Sequence, residues 1–142
     1  MFRIRKTFKI EYAHQLDSAY SKACTDAAHG HSGLVEVFLT SDCVNEDGMV
    51  IDFGALKNLI GEYMQSWDHA LIISEKMSKK YGKTFLKTQK KIRVVPYNPT
   101  AEMMAYDMYH RIFKLLIDAN LKCQVEKVRF HETATGWAEW ST

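Results

Sequence analysis

The chain has 142 residues, of which 46% are hydrophobic and 25% charged, and its formal net charge is +2. That length fits one domain over residues 1–142, and so small a charge argues against a nucleic-acid partner. No apolar run approaches the roughly 20 residues that span a bilayer, so we expect no membrane partner. The N-terminal segment alternates in charge and bulk, unlike a secretory signal.

Two segments near the N-terminus alternate as half-buried strands do. The apolar parity of the first strand is formed by Phe2, Ile4, Phe8, Ile10 and Tyr12. His14 continues this parity. Residues 15–28 are polar or small and predict a loop. Residues 31–40 alternate again, so they predict a second strand.

From Asp52 the apolar spacing becomes helical. The stripe consists of Phe53, Leu56, Leu59, Ile60, Tyr63, Met64 and Trp67, and the helix is expected to end in the sequence SWDHAL. Residues 74–91 are rich in lysine and predict an exposed, partly helical excursion. The following KIRVVPYN predicts a short strand or extended piece that ends near Pro96.

A second helix and one or two strands complete the chain. Asn98 is predicted to cap this helix, with Pro99 at its first position. Its apolar stripe consists of Met104, Met108, Ile112, Leu115 and Ala119. In the closing strand, Glu132 shares a parity with Val128 and Phe130, which predicts a carboxylate on the inner face. The order ββααββ indicates an α+β fold with an antiparallel sheet.

Three histidines lie on the apolar parity of the two N-terminal strands. His29 and His31 point the same way because strand side chains repeat every two residues. His14 reaches the same point if the two strands pair as a hairpin. Three neutral imidazoles suit Zn²⁺ and leave a fourth position open, as in catalytic sites. The alternative is that they are unrelated polar residues beside a loop. His110, within the second helix, is predicted to lie on the surface.

The ordered motifs of the chain resemble those of the 6-pyruvoyl-tetrahydropterin synthase superfamily, which includes the bacterial 6-carboxytetrahydropterin synthases of queuosine biosynthesis. They are FxIxYAH, a cysteine, HGH, GMVIDF, DH, PTAE and HET, and they cover nearly the whole chain. The resemblance implies the tunnelling fold, a four-stranded antiparallel sheet with two helices on one face. It implies His14, His29 and His31 as zinc ligands. It also implies barrel-shaped homo-oligomers, commonly hexamers, with active sites at subunit interfaces.

The three cysteines are an odd number without the spacing of a disulfide framework, which favours free thiols in a reducing, cytoplasmic compartment. Cys43 and Cys123 match no motif and are interpreted as structural. Cys24 lies in the loop before the HGH motif. It would act as a base only if a nearby cation or base lowered its pKa from about 8.5; otherwise it is a packing residue.

The pair Asp68 and His69 stands at the predicted end of the first helix. One interpretation is a helix terminus at which the imidazole favours the negative end of the dipole. The other is a base held by its carboxylate, beside a nucleophile. The resemblance implies the second, with Cys24 as general base and with Asp68 and His69 as its relay.

Glu132 and the PTAE motif are candidates for substrate binding. A carboxylate matches the paired N–H donors on the edge of a pterin, and the resemblance implies that Glu132 anchors the pterin and takes part in the relay. The alternative for Glu132 is a surface carboxylate on an edge strand. Thr100 and Glu102 match a motif near the pterin pocket, or they serve only the start of the helix.

The resemblance implies a zinc-dependent lyase acting on 7,8-dihydroneopterin triphosphate. The carboxy branch yields 6-carboxytetrahydropterin, acetaldehyde and triphosphate, whereas the pyruvoyl branch eliminates triphosphate. Four residues separate Cys24 from His29, between the three of the first branch and the five of the second. We favour the carboxy branch. A zinc-stabilised pterin-binding module without catalysis is the alternative from another class. The lysines of residues 76–91 form a solvated face or steer the triphosphate.

Overall fold

The computed structural model describes residues 1–142 and contains six strands and four helices. The strands are β1 (Phe2–His14), β2 (His29–Ser41), β3 (Ala70–Ser74), β4 (Ile92–Val95), β5 (Gln124–His131) and β6 (Trp137–Ser141). The helices are α1 (Lys22–Asp26), α2 (Phe53–Gln65), α3 (Glu75–Leu86) and α4 (Ala101–Asp118). The predicted α+β class is confirmed. None of the helices is long and apolar enough to cross a membrane.

The strands form one sheet in the order β4-β3-β1-β2-β5-β6. The pairs β1–β2, β2–β5 and β5–β6 are antiparallel, as predicted. Strand β3, however, pairs in parallel with both β1 and β4. The expected four-stranded antiparallel sheet is therefore wrong, because the sheet is mixed and has six strands. Besides the expected pair of helices, α2 and α4, the structure contains two further helices, α1 and α3.

Strand β3 escaped prediction because its sequence, ALIIS, has no alternation. Four of its five residues are buried, and such continuous apolar runs are typical of parallel strands covered on both faces. Periodicity alone does not separate a run this short from the end of a helix. The predicted end of the preceding helix includes the first two residues of this run, Ala70 and Leu71, whereas α2 stops at Gln65.

The core lies between one face of the sheet and the two long helices. It is a single cluster of 22 buried residues. The cluster joins inward-facing side chains such as Ile10 and Val35 of the sheet to Ile60 of α2 and Met108 of α4. The predicted strand parities therefore hold, and the helix stripes hold except at their ends: Phe53 at the start of α2 is exposed, and Leu116 rather than Ala119 ends the buried stripe of α4.

Helix starts are defined by side chains that accept backbone hydrogen bonds. At α2 the Asp52 carboxylate accepts from the amides of Gly54 and Ala55. At α4 the cap is Thr100, whose hydroxyl accepts from the Met103 amide. The predicted cap, Asn98, is therefore wrong. Its side chain instead holds the loop after β1, accepting from the Asp17 amide at 2.8 Å and donating to the Ser18 carbonyl at 3.0 Å.

Candidate metal centre and active site

The three candidate ligands meet where β1 ends and β2 begins. His14 is directly opposite His29 in the antiparallel register, and His31 is opposite Tyr12. All three rings project to the core side of the sheet. One ligand atom from each lies within 4.8 Å of the others. The predicted hairpin therefore brings together the three imidazoles that the sequence places on one parity.

Backbone carbonyls orient two of the rings. His14 Nδ1 lies 2.9 Å from the Pro99 carbonyl oxygen and His29 Nδ1 lies 3.3 Å from that of Ala27. A carbonyl only accepts, so each Nδ1 carries the proton and each Nε2 presents a lone pair. These two Nε2 atoms are 3.1 Å apart. The Nε2 atom of His31 is buried and has no hydrogen-bond partner.

Two of the rings, those of His14 and His31, have lowered pKa values that favour the neutral, metal-binding form. Burial lowers the pKa of His14 to about 4, and the neighbouring His29 and His31 act in the same direction, against the hydrogen bond to Pro99. Burial also lowers the pKa of His31, against the attraction of Glu132. Tetrahedral zinc with Zn–N bonds of about 2.0–2.1 Å places ligand nitrogens roughly 3.3 Å apart. The triad, with its unpartnered nitrogen, fits such an ion.

Glu132 borders the triad, as its strand parity predicts. It follows β5 directly, and its Oε1 lies 3.5 Å from His14 Nε2. The carboxylate also raises the pKa of Tyr12, after the larger effect of burial. Its backbone amide donates to the Gly136 carbonyl at 3.1 Å, which fixes the turn toward β6. A partly exposed carboxylate beside three ligand nitrogens can accept hydrogen bonds from a bound molecule.

Cys24 lies in α1, within the segment predicted as a loop, and is half-buried. Two hydrogen bonds join α1 to the residues that follow β1: the Leu16 amide donates to the Cys24 carbonyl at 2.9 Å, and Gln15 Nε2 donates to the Thr25 carbonyl at 2.6 Å. Gln15, itself buried, also accepts from the Tyr81 hydroxyl. Cys43 is exposed and Cys123 is buried, and all three thiols are free.

Asp68 and His69 form a hydrogen-bonded pair in the turn between α2 and β3. Asp68 Oδ2 lies 2.8 Å from His69 Nδ1, and Asp68 Oδ1 accepts from the Glu11 amide at 2.8 Å. The Glu11 hydrogen bond lowers the pKa of Asp68, with further lowering by His69 and Lys91 that outweighs burial. His69 adopts a left-handed φ of 55° and its side chain is 74% exposed.

Within one chain this pair forms no hydrogen bond with the three histidines of the triad. His69 accompanies Glu11, whose side chain lies on the opposite face of β1 from that of His14. His69, Glu11 and Lys91 line an open groove of about 590 Å³, which His31 of the triad also lines. No hydrogen bond joins Cys24 to either member of the pair. The structure therefore brings Glu132 to the metal ligands and places His69 in a groove shared with His31, without a hydrogen bond between the Asp68–His69 pair and Cys24.

The PTAE motif lies next to the triad through its first residue, because the Pro99 carbonyl holds His14. Thr100 serves as the cap of α4, and Glu102 is exposed in the first turn of that helix. His110 is exposed, as predicted. Sequence reasoning missed the backbone role of Pro99 and the anchoring role of Gln15. No sequence motif marks a buried glutamine that directly follows a ligand histidine. A contact made by a backbone carbonyl depends on no particular side chain, so the sequence does not reveal it.

The chain belongs to the 6-pyruvoyl tetrahydropterin synthase family, whose family model matches residues 3–142. The family match and the names of the relatives confirm the expectation that the protein is an enzyme, a lyase of this family. Among its relatives, the 6-carboxy-5,6,7,8-tetrahydropterin synthase of Aquifex aeolicus is 32% identical over 98% of this chain and 97% of that protein. The protein of the same name from Rickettsia typhi is 36% identical over 78% of this chain and 80% of its own length.

Solved structures share the fold at lower identity. The 6-pyruvoyl tetrahydropterin synthase of Caenorhabditis elegans superposes with a TM-score of 0.69 over 99% of this chain and 95% of that one, at 20% identity. An uncharacterized protein from Wolinella succinogenes superposes with a TM-score of 0.80 over 99% and 98%, at 22% identity. The fold is therefore that of the family.

Proposed function

We propose that the protein is a zinc-dependent lyase that converts 7,8-dihydroneopterin triphosphate and water to 6-carboxy-5,6,7,8-tetrahydropterin, acetaldehyde and triphosphate, a step of queuosine biosynthesis. The observation that carries the proposal is the convergence of three histidine nitrogens within 4.8 Å of one another beside Glu132. The names of the Aquifex and Rickettsia relatives support the carboxy product.

His14, His29 and His31 would hold the zinc ion and leave its fourth position to substrate. Bound there, zinc supplies Lewis-acid chemistry that stabilises developing negative charge. The chain's own contribution is to fix the rings: the carbonyls of Pro99 and Ala27 hold the Nδ1 protons, so both Nε2 lone pairs face the same point. Such partners of ligand histidines orient the rings and raise their basicity.

Proton transfer falls to Cys24 and His69. Cys24, as thiolate, would take a proton from the substrate side chain. Asp68 accepts a hydrogen bond from His69 Nδ1 at 2.8 Å, which leaves Nε2 of the exposed ring to exchange protons with the thiol or the substrate. The carboxylate holds the tautomer and the orientation of the base, as in other catalytic triads.

Glu132 would anchor the pterin. Its two oxygens can accept from the ring N3–H and the neighbouring amino group together, and its position 3.5 Å from His14 Nε2 places that anchor beside the metal ligands. Thr100 and Glu102 would border the same pocket. The Thr100 oxygen already accepts from an amide as a helix cap, so its O–H and one remaining lone pair are free for a ligand.

We place the complete site between copies of the chain, in a homo-oligomer and most simply a hexamer. A neighbouring copy could bring its Asp68–His69 pair to Cys24, to which the pair is not hydrogen-bonded within one chain. The sheet offers edges for such assembly, since β3 pairs only with residues 12–14 of β1 and leaves residues 2–10 open on that side. Large apolar side chains such as Phe2, Phe53 and Trp140 are also exposed.

The test is metal analysis and product identification on one preparation of the purified protein. We expect zinc bound by the protein and acetaldehyde released from 7,8-dihydroneopterin triphosphate. A pyruvoyl product without acetaldehyde would show the other branch of the family. Cys24→Ala is expected to retain zinc and to lose turnover. Pterin binding with no product from the wild type, or unchanged turnover in Cys24→Ala, would contradict the proposed mechanism.

A further inference from the structure

Lys91 differs from the other lysines of residues 76–91 because its side chain has defined partners. Its Nζ donates to the carbonyl oxygens of Gln65 and Asp68, each at 2.6 Å. The first is the last residue of α2, where the carbonyls have no partner within the helix and favour a positive charge. The second belongs to the pair with His69. One ammonium thus bridges the helix end and the turn that follows it.

The backbone fixes Lys91 independently of its side chain. Its carbonyl accepts from the Leu71 amide at 3.0 Å, at the start of the pairing between β3 and β4. On the other side of the turn, the His69 amide donates to the Glu11 carbonyl at 2.5 Å. The turn carrying His69 is therefore held by β1 on one side and by Lys91 on the other.

The turn requires such support. His69 has a φ of 55°, a conformation that non-glycine residues rarely adopt and that the surroundings must enforce. The carbonyls of Gln65 and Asp68 approach the same point, where without a cation their negative ends would repel each other. Lys91 also lowers the pKa of Asp68, after the Glu11 hydrogen bond and His69.

We propose that Lys91 is a positioning residue that holds the Asp68–His69 turn in the geometry used for proton transfer. This inference rests on the proposed function, since it assigns Lys91 an effect on turnover only through His69. According to this inference, Lys91 does not belong to the solvated face that the other lysines of residues 76–91 form.

The experiment compares Lys91→Met, Lys91→Arg and the control Lys80→Met in the zinc-loaded protein. Lys80 is exposed on α3 and forms no side-chain hydrogen bond. Loss of two charge-assisted hydrogen bonds is expected to lower kcat about tenfold in Lys91→Met, with KM and zinc content unchanged. Lys91→Arg should restore most of kcat because it keeps the charge and the donors, and Lys80→Met should match the wild type.

Two further measurements separate positioning from general stability. In a His69→Ala background, Lys91→Met should lower kcat no further, because coupled residues are not additive. Amide hydrogen exchange at His69 should quicken in Lys91→Met while that of Leu56 and Ile60 within α2 stays unchanged. An additive loss of kcat, or unchanged exchange at His69, would overturn the inference. If His69→Ala alone keeps full turnover, the proposed role of His69 fails, and the exchange measurement still decides whether Lys91 holds the turn.

Discussion

Three imidazoles can share a buried point only if their nitrogens find partners, because an unpaired buried polar atom costs about 1–3 kcal/mol. His14 is 1% exposed, and the carbonyls of Pro99 and Ala27 satisfy one nitrogen in each of two rings. The remaining lone pairs, with that of His31, face one another. A cation resolves this arrangement, so metal binding and folding stability should be coupled at this site.

Tyr12, beside the triad, offers a test at the same scale. Its hydroxyl is buried without a partner, so Tyr12→Phe should leave the free energy of unfolding unchanged or raise it by about 1 kcal/mol. The control is Tyr109→Phe. That hydroxyl donates to the Val125 carbonyl at 3.2 Å, and its loss should lower stability by about 1 kcal/mol. Urea denaturation of metal-free protein measures both. Greater destabilisation by Tyr12→Phe than by Tyr109→Phe would contradict this account.

At the scale of elements, the face of the sheet opposite the helices carries charged side chains whose ion pairs connect three strands, β1, β2 and β5. Glu36 in β2 is 5% exposed. Its carboxylate contacts Arg5 of β1 at 2.8 Å, and His131 and Arg129 of β5 at 2.8 and 3.7 Å. Burial alone would raise the pKa of Glu36, but the hydrogen bond from His131 and the surrounding positive charges hold it below the ordinary value.

The depressed pKa fixes the pH dependence of this cluster. The ionised carboxylate stabilises the fold at pH values above its ordinary pKa of 4.5, and this stabilisation disappears as the pH falls through the lower pKa of the folded state. Glu36→Gln should therefore lower the free energy of unfolding by about 1–3 kcal/mol at pH 7, and by progressively less below pH 4.5.

Urea denaturation from pH 7 to pH 3 measures this difference. The matched control is Glu126→Gln, which removes the more exposed pair with Arg3 and should change stability by less than about 1 kcal/mol. If the loss of unfolding free energy caused by Glu36→Gln stayed constant across this pH range, the assigned role of the carboxylate would be wrong.

Elements that bury one face were predictable, and those that bury both were not. The alternation of β1 and β2 and the stripes of α2 and α4 follow from the one-sided burial that generates such patterns. Strand β3 has apolar residues on both faces and therefore no period. The cap of α4 was displaced from Asn98 to Thr100 because the asparagine side chain binds the loop after β1, a tertiary contact that local sequence rules do not contain.

At the scale of the whole molecule, the ligand set could be predicted because hairpin geometry makes His14, His29 and His31 neighbours. The spatial relation between Cys24 and the Asp68–His69 pair could not be predicted from the sequence. They lie more than forty positions apart in the sequence, and no periodicity encodes which surfaces meet. Sequence motifs group them as one constellation, whereas within a single chain no hydrogen bond joins Cys24 to the pair. Assembly of copies would bring the two together, which makes the oligomer part of the catalytic hypothesis.

Mixing two impaired variants tests that hypothesis directly. Cys24→Ala and His69→Ala should each lower turnover by about 10²–10⁴-fold, since each removes one half of the proton-transfer pair. Random co-assembly of equal amounts should restore about a quarter of wild-type activity, because that fraction of interfaces joins an intact Cys24 to an intact His69 of the neighbouring copy. The mixture is dissociated in mild denaturant, refolded together with zinc, and assayed against the separately refolded variants. Each variant must keep the oligomeric mass and zinc content of the wild type. No recovery from co-assembled oligomers would mean that both residues act within one chain, and that its surface rearranges to bring them together.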